Sequence, residues 1–255
     1  MKTVIMAIFL SGLLAVSCTK KKNDIVATPD PPAGRRIAQM IETYADNTKK
    51  TETLTYDAKG RPAVYTTNSR KEVFDFQSAS RLLVTSYKLP ENTLERTIEC
   101  TLNDKGAITE MRFKNTSDVI TYTYQYAYNA EGYTTWVKGS GSSNDWYEIV
   151  PEIKDGNYIR AKETFSSGAV YDDAYTYGSA SNTLYKSYFG YWPVDGLFGK
   201  PSKNLLLEAK GFKSNGDLNS HIKRNYTITA EGFVNKYIIN YMLSGESSVV
   251  EITYE

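Results

Sequence analysis

The sequence has one histidine, His221, and two cysteines, Cys18 and Cys100, among its 255 residues. Nucleophilic catalysis and zinc binding both rely on such side chains, and neither an HExxH motif nor paired CxxC motifs occur. Asp172 and Asp173 are adjacent on a predicted strand, so they point to opposite faces and do not form one acid–base pair. The sequence therefore predicts no catalytic residue, no metal site and no cofactor.

The chain also lacks a large excess of one charge and a long apolar run. Its 30 basic and 29 acidic residues give a net charge of +1, which argues against nucleic acid as a partner. The apolar run of residues 4–16 is shorter than the about 20 residues that a membrane-spanning helix needs. With Lys2 before it and small residues from Ala15 to Ser17 after it, the run is typical of an export signal. Residues 1–17 are therefore predicted to be a signal peptide.

In the stretch GLLAVSCTKKK, Cys18 follows that apolar run directly. The arrangement resembles the lipobox of bacterial lipoproteins, although Leu14 lies one place further from the cysteine than in the commonest pattern. The resemblance implies that Cys18 carries lipid and holds the protein at the outer membrane, on the periplasmic or the cell-surface face. An ordinary secretory signal with a chance cysteine is the alternative. Residues 18–34, rich in lysine and proline, are predicted to be a flexible tether.

Aromatic residues are abundant in the remainder, with 21 tyrosines in the whole chain. In VITYTYQYAYN, Tyr122, Tyr124, Tyr126 and Tyr128 alternate with small or polar residues, which is the period of a β-strand with one buried face. No stretch after the tether keeps a helical period for three turns. Cys100 alternates with apolar residues, which predicts burial in a strand.

A short motif recurs between these strands. A strand ends, about three small or polar residues follow, then a glycine, and the next strand begins, which is typical of a hairpin loop closed by a left-handed glycine. The motif spans residues 56–61, 102–107, 128–133, 212–217 and 228–233. Residues 35–255 are thus predicted to form a single all-β domain, an antiparallel meander of hairpins curled into a roll or partly closed barrel.

The segments TLTYDAKGRPAVY and FGKPSKNLL, together with the anchor and tether, resemble a family of Bacteroidetes-type cell-envelope lipoproteins of unknown function. The hairpins are also similar to the YD repeats of larger surface proteins, a pattern that Tyr56, Asp57, Gly60 and Arg61 match fully. This resemblance implies a porin-like, curved antiparallel sheet, and it transfers no catalytic residue.

Two aromatic loops interrupt the hairpin pattern. Segment 187–206, rich in proline and glycine, is too long for a tight hairpin, and WVKGSGSSNDWYEI surrounds a glycine–serine turn. Long loops often carry function, and tryptophan faces stack on sugar rings. The alternative is that these aromatic side chains pack as a lid on the core. The candidate ligand contacts are Trp192, Tyr191, Trp136, Trp146, Phe198 and Lys200.

Two functions remain open at this point, and neither is enzymatic. The first is a non-catalytic, outer-membrane-anchored module that binds a glycan, peptide or lipid ligand. The second is an envelope assembly or scaffold protein that docks another protein through a strand edge or through the 187–206 loop. The charged outward positions of the predicted strands argue against a barrel embedded in lipid.

Overall fold

Sixteen antiparallel strands follow one another around a barrel in the computed structural model, which describes residues 35–143, 145–184, 189–194 and 196–255. Each strand pairs with the next, and β16 pairs with β1 to close the barrel. The predicted all-β meander is confirmed, and closure is complete rather than partial. The described part of the chain contains no helix with the length and apolar character needed to cross a membrane. The strands are β1 Ile37–Thr43, β2 Lys49–Tyr56, β3 Pro62–Thr66, β4 Arg70–Ser78, β5 Arg81–Lys88, β6 Thr93–Leu102, β7 Ile108–Asn115, β8 Ile120–Tyr128, β9 Thr134–Gly141, β10 Trp146–Lys154, β11 Asn157–Phe165, β12 Val170–Ser181, β13 Asn204–Lys213, β14 Leu218–Ile228, β15 Val234–Tyr241 and β16 Glu246–Tyr254.

The barrel has two different ends. Even-numbered strands finish at the end where Arg36 and Glu255 pair their backbones, and four of the five glycine motifs form turns there, whereas the fifth, 212–217, connects β13 to β14 at the other end. In the first motif, Asp57 Oδ1 accepts hydrogen bonds from the backbone N–H groups of Lys59 and Arg61, both at 2.9 Å. Gly60 has a φ of 80°, as the hairpin interpretation requires. Odd-numbered strands finish at the other end, which we call the open end.

Tyrosines near the ends of even-numbered strands form hydrogen bonds to the backbone of the preceding strand on the inner wall. The Tyr56 hydroxyl donates to the carbonyl of Ile37, at 2.9 Å, on the strand before it. Tyr128, Tyr177, Tyr226 and Tyr254 make the same bond, at 2.6–2.8 Å, to a carbonyl 19 or 20 residues earlier. Each bond satisfies a wall carbonyl, which explains part of the tyrosine excess.

The connection from β12 to β13, residues 182–203, folds into the barrel from the end opposite the open end. We call it the plug loop, and its end of the barrel the plugged end. Phe189, Trp192 and Phe198 are buried in the core with the wall residues. The loop is held by backbone hydrogen bonds from Ile108 to Leu197 and from Lys200 to Gly132, both at 2.8 Å. The predicted alternative, in which these aromatics pack as a lid on the core, matches their positions.

Two features of the second predicted function require correction. Barrel closure leaves no free edge among the described strands, so docking through a strand edge is excluded in this fold. Segment 187–206 is also not an exposed docking loop, because only Gly196, Lys200 and Lys203 of its 17 described residues are exposed, and its last three residues belong to β13.

We predict that the seam between plug loop and wall tolerates no side chain at Gly199. Gly199 has a φ of 74°, and a Cβ there would lie 2.6 Å from the Gly132 carbonyl oxygen. Gly106 is a matched control, because its φ is 80° but nothing lies within 4 Å of its Cβ position. Gly106→Ala should cost about 1–2 kcal/mol of unfolding free energy for the left-handed backbone alone. Gly199→Ala should cost about 1–3 kcal/mol more, because its Cβ would overlap the Gly132 carbonyl oxygen. Chemical denaturation of both variants measures the two losses of unfolding free energy. Equal losses in the two variants would contradict close packing between plug loop and wall at Gly199.

Candidate functional site

The inner end of the plug loop meets an unusual residue of the wall, Glu72. The position of Glu72 on β4 points into the barrel between those of Arg70 and Phe74, and its side chain is 1% exposed. Trp192 Nε1 donates a hydrogen bond to Glu72 Oε2, and the Trp192 ring contacts Phe74 edge-on with centroids 5.0 Å apart. A buried carboxyl group is thus held by the indole of the loop.

Tyr191 lies next to this pair and joins the loop to two arginines. Its hydroxyl accepts hydrogen bonds from Arg70 Nη1, at 3.3 Å, and from Arg96 Nη2. Arg70 Nε also bonds Glu95 Oε2 at 2.9 Å, and Ser86 donates to the same oxygen at 3.2 Å. The Tyr191 phenol is therefore fixed by charged donors on two different strands.

A cavity of about 300 Å³ opens beside Tyr191 toward the open end of the barrel. Its charged groups balance, because Lys50 pairs with Glu52, Arg70 with Glu95, and Arg96 Nη2 lies 3.6 Å from Glu72 Oε1. The wall combines these groups with tyrosine rings and with small polar residues of the β3–β4 turn. Its lining residues are Lys50, Tyr65, Thr67, Asn68, Ser69, Arg70, Glu72 and Tyr191.

Two buried polar atoms close to Tyr191 and Glu72 lack a hydrogen-bond partner among the described residues. They are Glu72 Oε1 and Arg96 Nε. Burial raises the pKa of Glu72 above its usual value, although Trp192, Arg70 and Arg96 oppose that rise. Unsatisfied buried polar atoms are few in folded proteins, and each requires a reason. Glu72 lines the cavity and Arg96 bonds the hydroxyl of Tyr191, which also lines it. Such an acceptor and donor are the groups that a ligand hydroxyl or amide satisfies.

The six predicted ligand contacts do not form one site. Trp192 and Phe198 are completely buried, and only Tyr191 reaches the cavity. Trp136 and Trp146 lie on the outer wall, where Glu148 accepts a hydrogen bond from Trp136 and Lys138 Nζ lies 5.8 Å from the Trp146 ring centroid. A pocket shared by both tryptophan loops, which the prediction placed together, is therefore not formed.

Lys200 lies at the plugged end, in a different cavity of about 510 Å³. Its ammonium group is 5.7 Å from the Tyr133 ring centroid. The turns 103–107 and 129–133 form much of this cavity, and Asp104, Lys105 and Glu131 in them are exposed. No polar atom there is both buried and without a hydrogen bond among the described residues, so the cavity beside Tyr191 is the better candidate.

Sequence reasoning missed the charged side of the site. Arg70 and Glu72 occupy the positions of β4 that alternate in phase with Phe74 and Phe76, so charged and aromatic residues share one inward face. Charged residues at strand positions that otherwise carry core residues were the signal in the sequence that could have revealed this side of the site. Arg96 carries the same signal on β6, two residues before the buried Ile98.

Two further carboxyl groups lie on the inner wall, at Glu163 and Asp173. Burial raises the pKa of both groups, and the charge of Asp173 adds to the rise at Glu163. Asp172 faces outward instead, where Arg160 Nε lies 2.5 Å from its Oδ1 and lowers its pKa. The predicted opposite orientation of Asp172 and Asp173 is confirmed.

Comparison with known structures supports this fold. A porin-like protein from Bacteroides uniformis ATCC 8492 matches with a TM-score of 0.66 at 15% identity, over 86% of this chain and 98% of that one. A porin-like protein from Bacteroides vulgatus ATCC 8482 matches with a TM-score of 0.61 at 12% identity and the same coverage. This chain has the porin-like fold. At such identities the likeness concerns the fold alone. No protein-family model matches the sequence, and no curated protein matches it.

We predict opposite pH effects for the two adjacent aspartates. Because the pKa of Asp173 is raised in the fold, its charge costs stability as pH rises above about 4, and Asp173→Asn should become increasingly stabilising from pH 4 to 7. Because the pKa of Asp172 is lowered, the stability from its charge is present above about pH 4 and is lost as the pH falls below it, so Asp172→Asn should cost a nearly constant amount from pH 4 to 7 and less at lower pH.

Thermal unfolding of both variants and the wild type at several pH values between about 2 and 7 measures this difference. Each variant is the control for the other, because both replace an aspartate by asparagine and the two positions are adjacent in the sequence. Parallel pH dependence in the two variants would contradict the assignment of Asp173 to the inner wall.

Proposed function

We propose that this protein is a non-catalytic binding module of the cell envelope, and that the cavity beside Tyr191 is its ligand site. The observation that carries the proposal is the unsatisfied buried oxygen Glu72 Oε1 on a residue that lines a cavity open to solvent, together with the unsatisfied Arg96 Nε of the arginine that bonds the Tyr191 hydroxyl. Binding sites are typically concave, with a few placed polar groups among apolar and aromatic walls.

A glycan suits this cavity better than a peptide or a lipid. The charges of Lys50, Arg70 and Arg96 are matched by Glu52, Glu72 and Glu95, so the wall attracts neither sign strongly. A neutral polyhydroxylated ligand supplies both donors to Glu72 and acceptors to Arg96, and tyrosine rings pack against its apolar faces. A lipid chain leaves those polar atoms unsatisfied.

The outer wall supports a barrel surrounded by water. Cross-strand pairs such as Lys114–Glu99, at 2.8 Å, and His221–Glu208, at 2.7 Å, lie on it. A barrel embedded in lipid presents an apolar band at these positions. We therefore infer attachment to the outer membrane through Cys18, which lies outside the described residues. Arg36, next to the first described residue, pairs its backbone with Glu255 at the plugged end, opposite the open end.

The ligand proposal is tested by calorimetry of the wild type and Tyr191→Phe against panels of neutral glycans, peptides and lipids. The variant removes the hydroxyl that orients Arg70 and Arg96 while keeping the ring. We expect a glycan to bind the wild type and to bind the variant about 1.5–3 kcal/mol more weakly, the scale of hydrogen bonds to charged groups.

Trp136→Phe is the control, because it changes an aromatic residue of the outer wall and should leave the affinity unchanged. Trp192→Ala is a poor test, since removal of a buried tryptophan costs stability of about 3–5 kcal/mol and disturbs the loop. Binding of a peptide or lipid with no glycan bound, or an unchanged affinity of Tyr191→Phe, would refute the glycan site.

The anchor is tested separately. The mature wild-type protein should partition into the detergent phase of a cloud-point extraction, and mass spectrometry should find an acylated N-terminal Cys18. Cys18→Ala should move to the aqueous phase, because the acyl methylenes supply the membrane affinity. An unmodified Cys18 in the wild type would exclude lipid anchoring without affecting the glycan proposal.

A further inference from the structure

The two ends of the barrel differ in the residues that their turns expose. At the plugged end the turns are built from Asp, Asn, Lys and Glu around glycine, as in 57–60 and 103–106. At the open end, six of the eight hairpins expose a large apolar side chain. We call these six side chains the apolar rim: Tyr44, Leu94, Val119, Trp146, Leu218 and Leu243.

The exposure is substantial and concentrated. Val119 is 56% exposed and Leu243 is 58% exposed. Ile120 and Met242, beside them in sequence, are exposed as well. Scattered exposed apolar residues need no explanation, but their concentration on one end of a molecule marks an interaction surface.

We propose that the apolar rim docks on the surface of a lipid bilayer of zwitterionic lipid. This inference is independent of the ligand site and of the Cys18 anchor. It concerns shallow contact of the turns with the interface, and the barrel wall remains in water.

The spacing of the rim favours a bilayer over a protein partner. Hairpins at one end recur every second strand, and strands lie about 4.8 Å apart, so rim residues of neighbouring hairpins are separated by roughly 10 Å. Protein interfaces concentrate their energy in a contiguous central cluster. Polar and charged residues such as Arg70 and Glu72 line one side of the mouth that this rim surrounds. A fluid bilayer can accommodate apolar side chains that are spaced apart around the mouth of a barrel.

The chemistry of the rim agrees with that partner. Tryptophan and tyrosine prefer the membrane–water interface, where one part of the ring system is apolar and the other is hydrated. Lys49 and Lys88 lie at this end, but so do Asp46, Glu91 and Asp118. Because both signs are present, the rim offers no net attraction for a strongly anionic surface, and apolar insertion supplies the affinity.

Trp146 provides a direct probe. The full chain is mixed with phosphatidylcholine vesicles whose acyl chains carry bromine, which quenches nearby tryptophan fluorescence. We expect a quenched component that Trp146→Phe removes and Trp136→Phe retains, since Trp136 lies on β9 toward the plugged end and Trp192 is buried. This readout is the same whether or not Cys18 is acylated.

A second variant tests the rim without touching the probe. Leu243→Asp should reduce the fraction of Trp146 in contact with quencher by about tenfold. That is the scale expected when one leucine side chain no longer inserts into the bilayer. Ile228→Asp is the control, because Ile228 is 41% exposed but lies at the plugged end. Absence of quenching that depends on Trp146, or equal effects of Leu243→Asp and Ile228→Asp, would overturn the proposal.

Discussion

Sixteen strands enclose more space than the side chains of their own wall can fill. Closed barrels of eight strands are filled by side chains, whereas barrels of about sixteen strands leave a channel. This chain closes the ladder between β1 and β16 and therefore needs material from elsewhere. The plug loop supplies it, because Phe189, Trp192 and Phe198 bring large apolar surfaces into the space that the wall leaves.

The packing of that loop creates the candidate site. A loop that enters a barrel brings backbone groups with it, and each must find a partner away from water. Near the plugged end, Thr134 donates to the Phe198 carbonyl at 3.0 Å and Tyr158 donates to the Lys200 carbonyl at 3.0 Å. At the inner end of the loop, Glu72 receives the Trp192 indole and keeps one oxygen free of hydrogen bonds. Glu72 is needed as a buried acceptor for the Trp192 indole, and its second carboxyl oxygen is thereby left at the cavity.

The architecture could be predicted from the sequence because it rests on local signals. Alternation across VITYTYQYAYN and the glycine of motifs such as 56–61 specify strand and turn without knowledge of distant contacts. Closure could not be predicted, since it depends on pairing between β1 and β16, about 200 residues apart. The site could not be predicted either: Glu72 and Trp192 are separated by 120 residues, and no local pattern specifies their meeting. Only the charged residues in phase with Phe74 indicated that the inner wall is not uniformly apolar.

The asymmetry of the barrel connects the two proposals. Described residues of the plug loop pack at the end where the chain enters and leaves, and the cavity beside Tyr191 lies toward the open end. The tyrosines that bond carbonyls on the preceding strand, such as Tyr56 and Tyr254, secure the plugged end. The turns of the open end do not take part in these bonds. There the chain exposes Trp146 and Leu243. A rim in contact with lipid places the mouth of the cavity at the membrane surface, where the headgroups of glycolipids present sugars. Contact of the rim with lipid and binding of a sugar beside Tyr191 are compatible, because neither requires a strand to enter the bilayer.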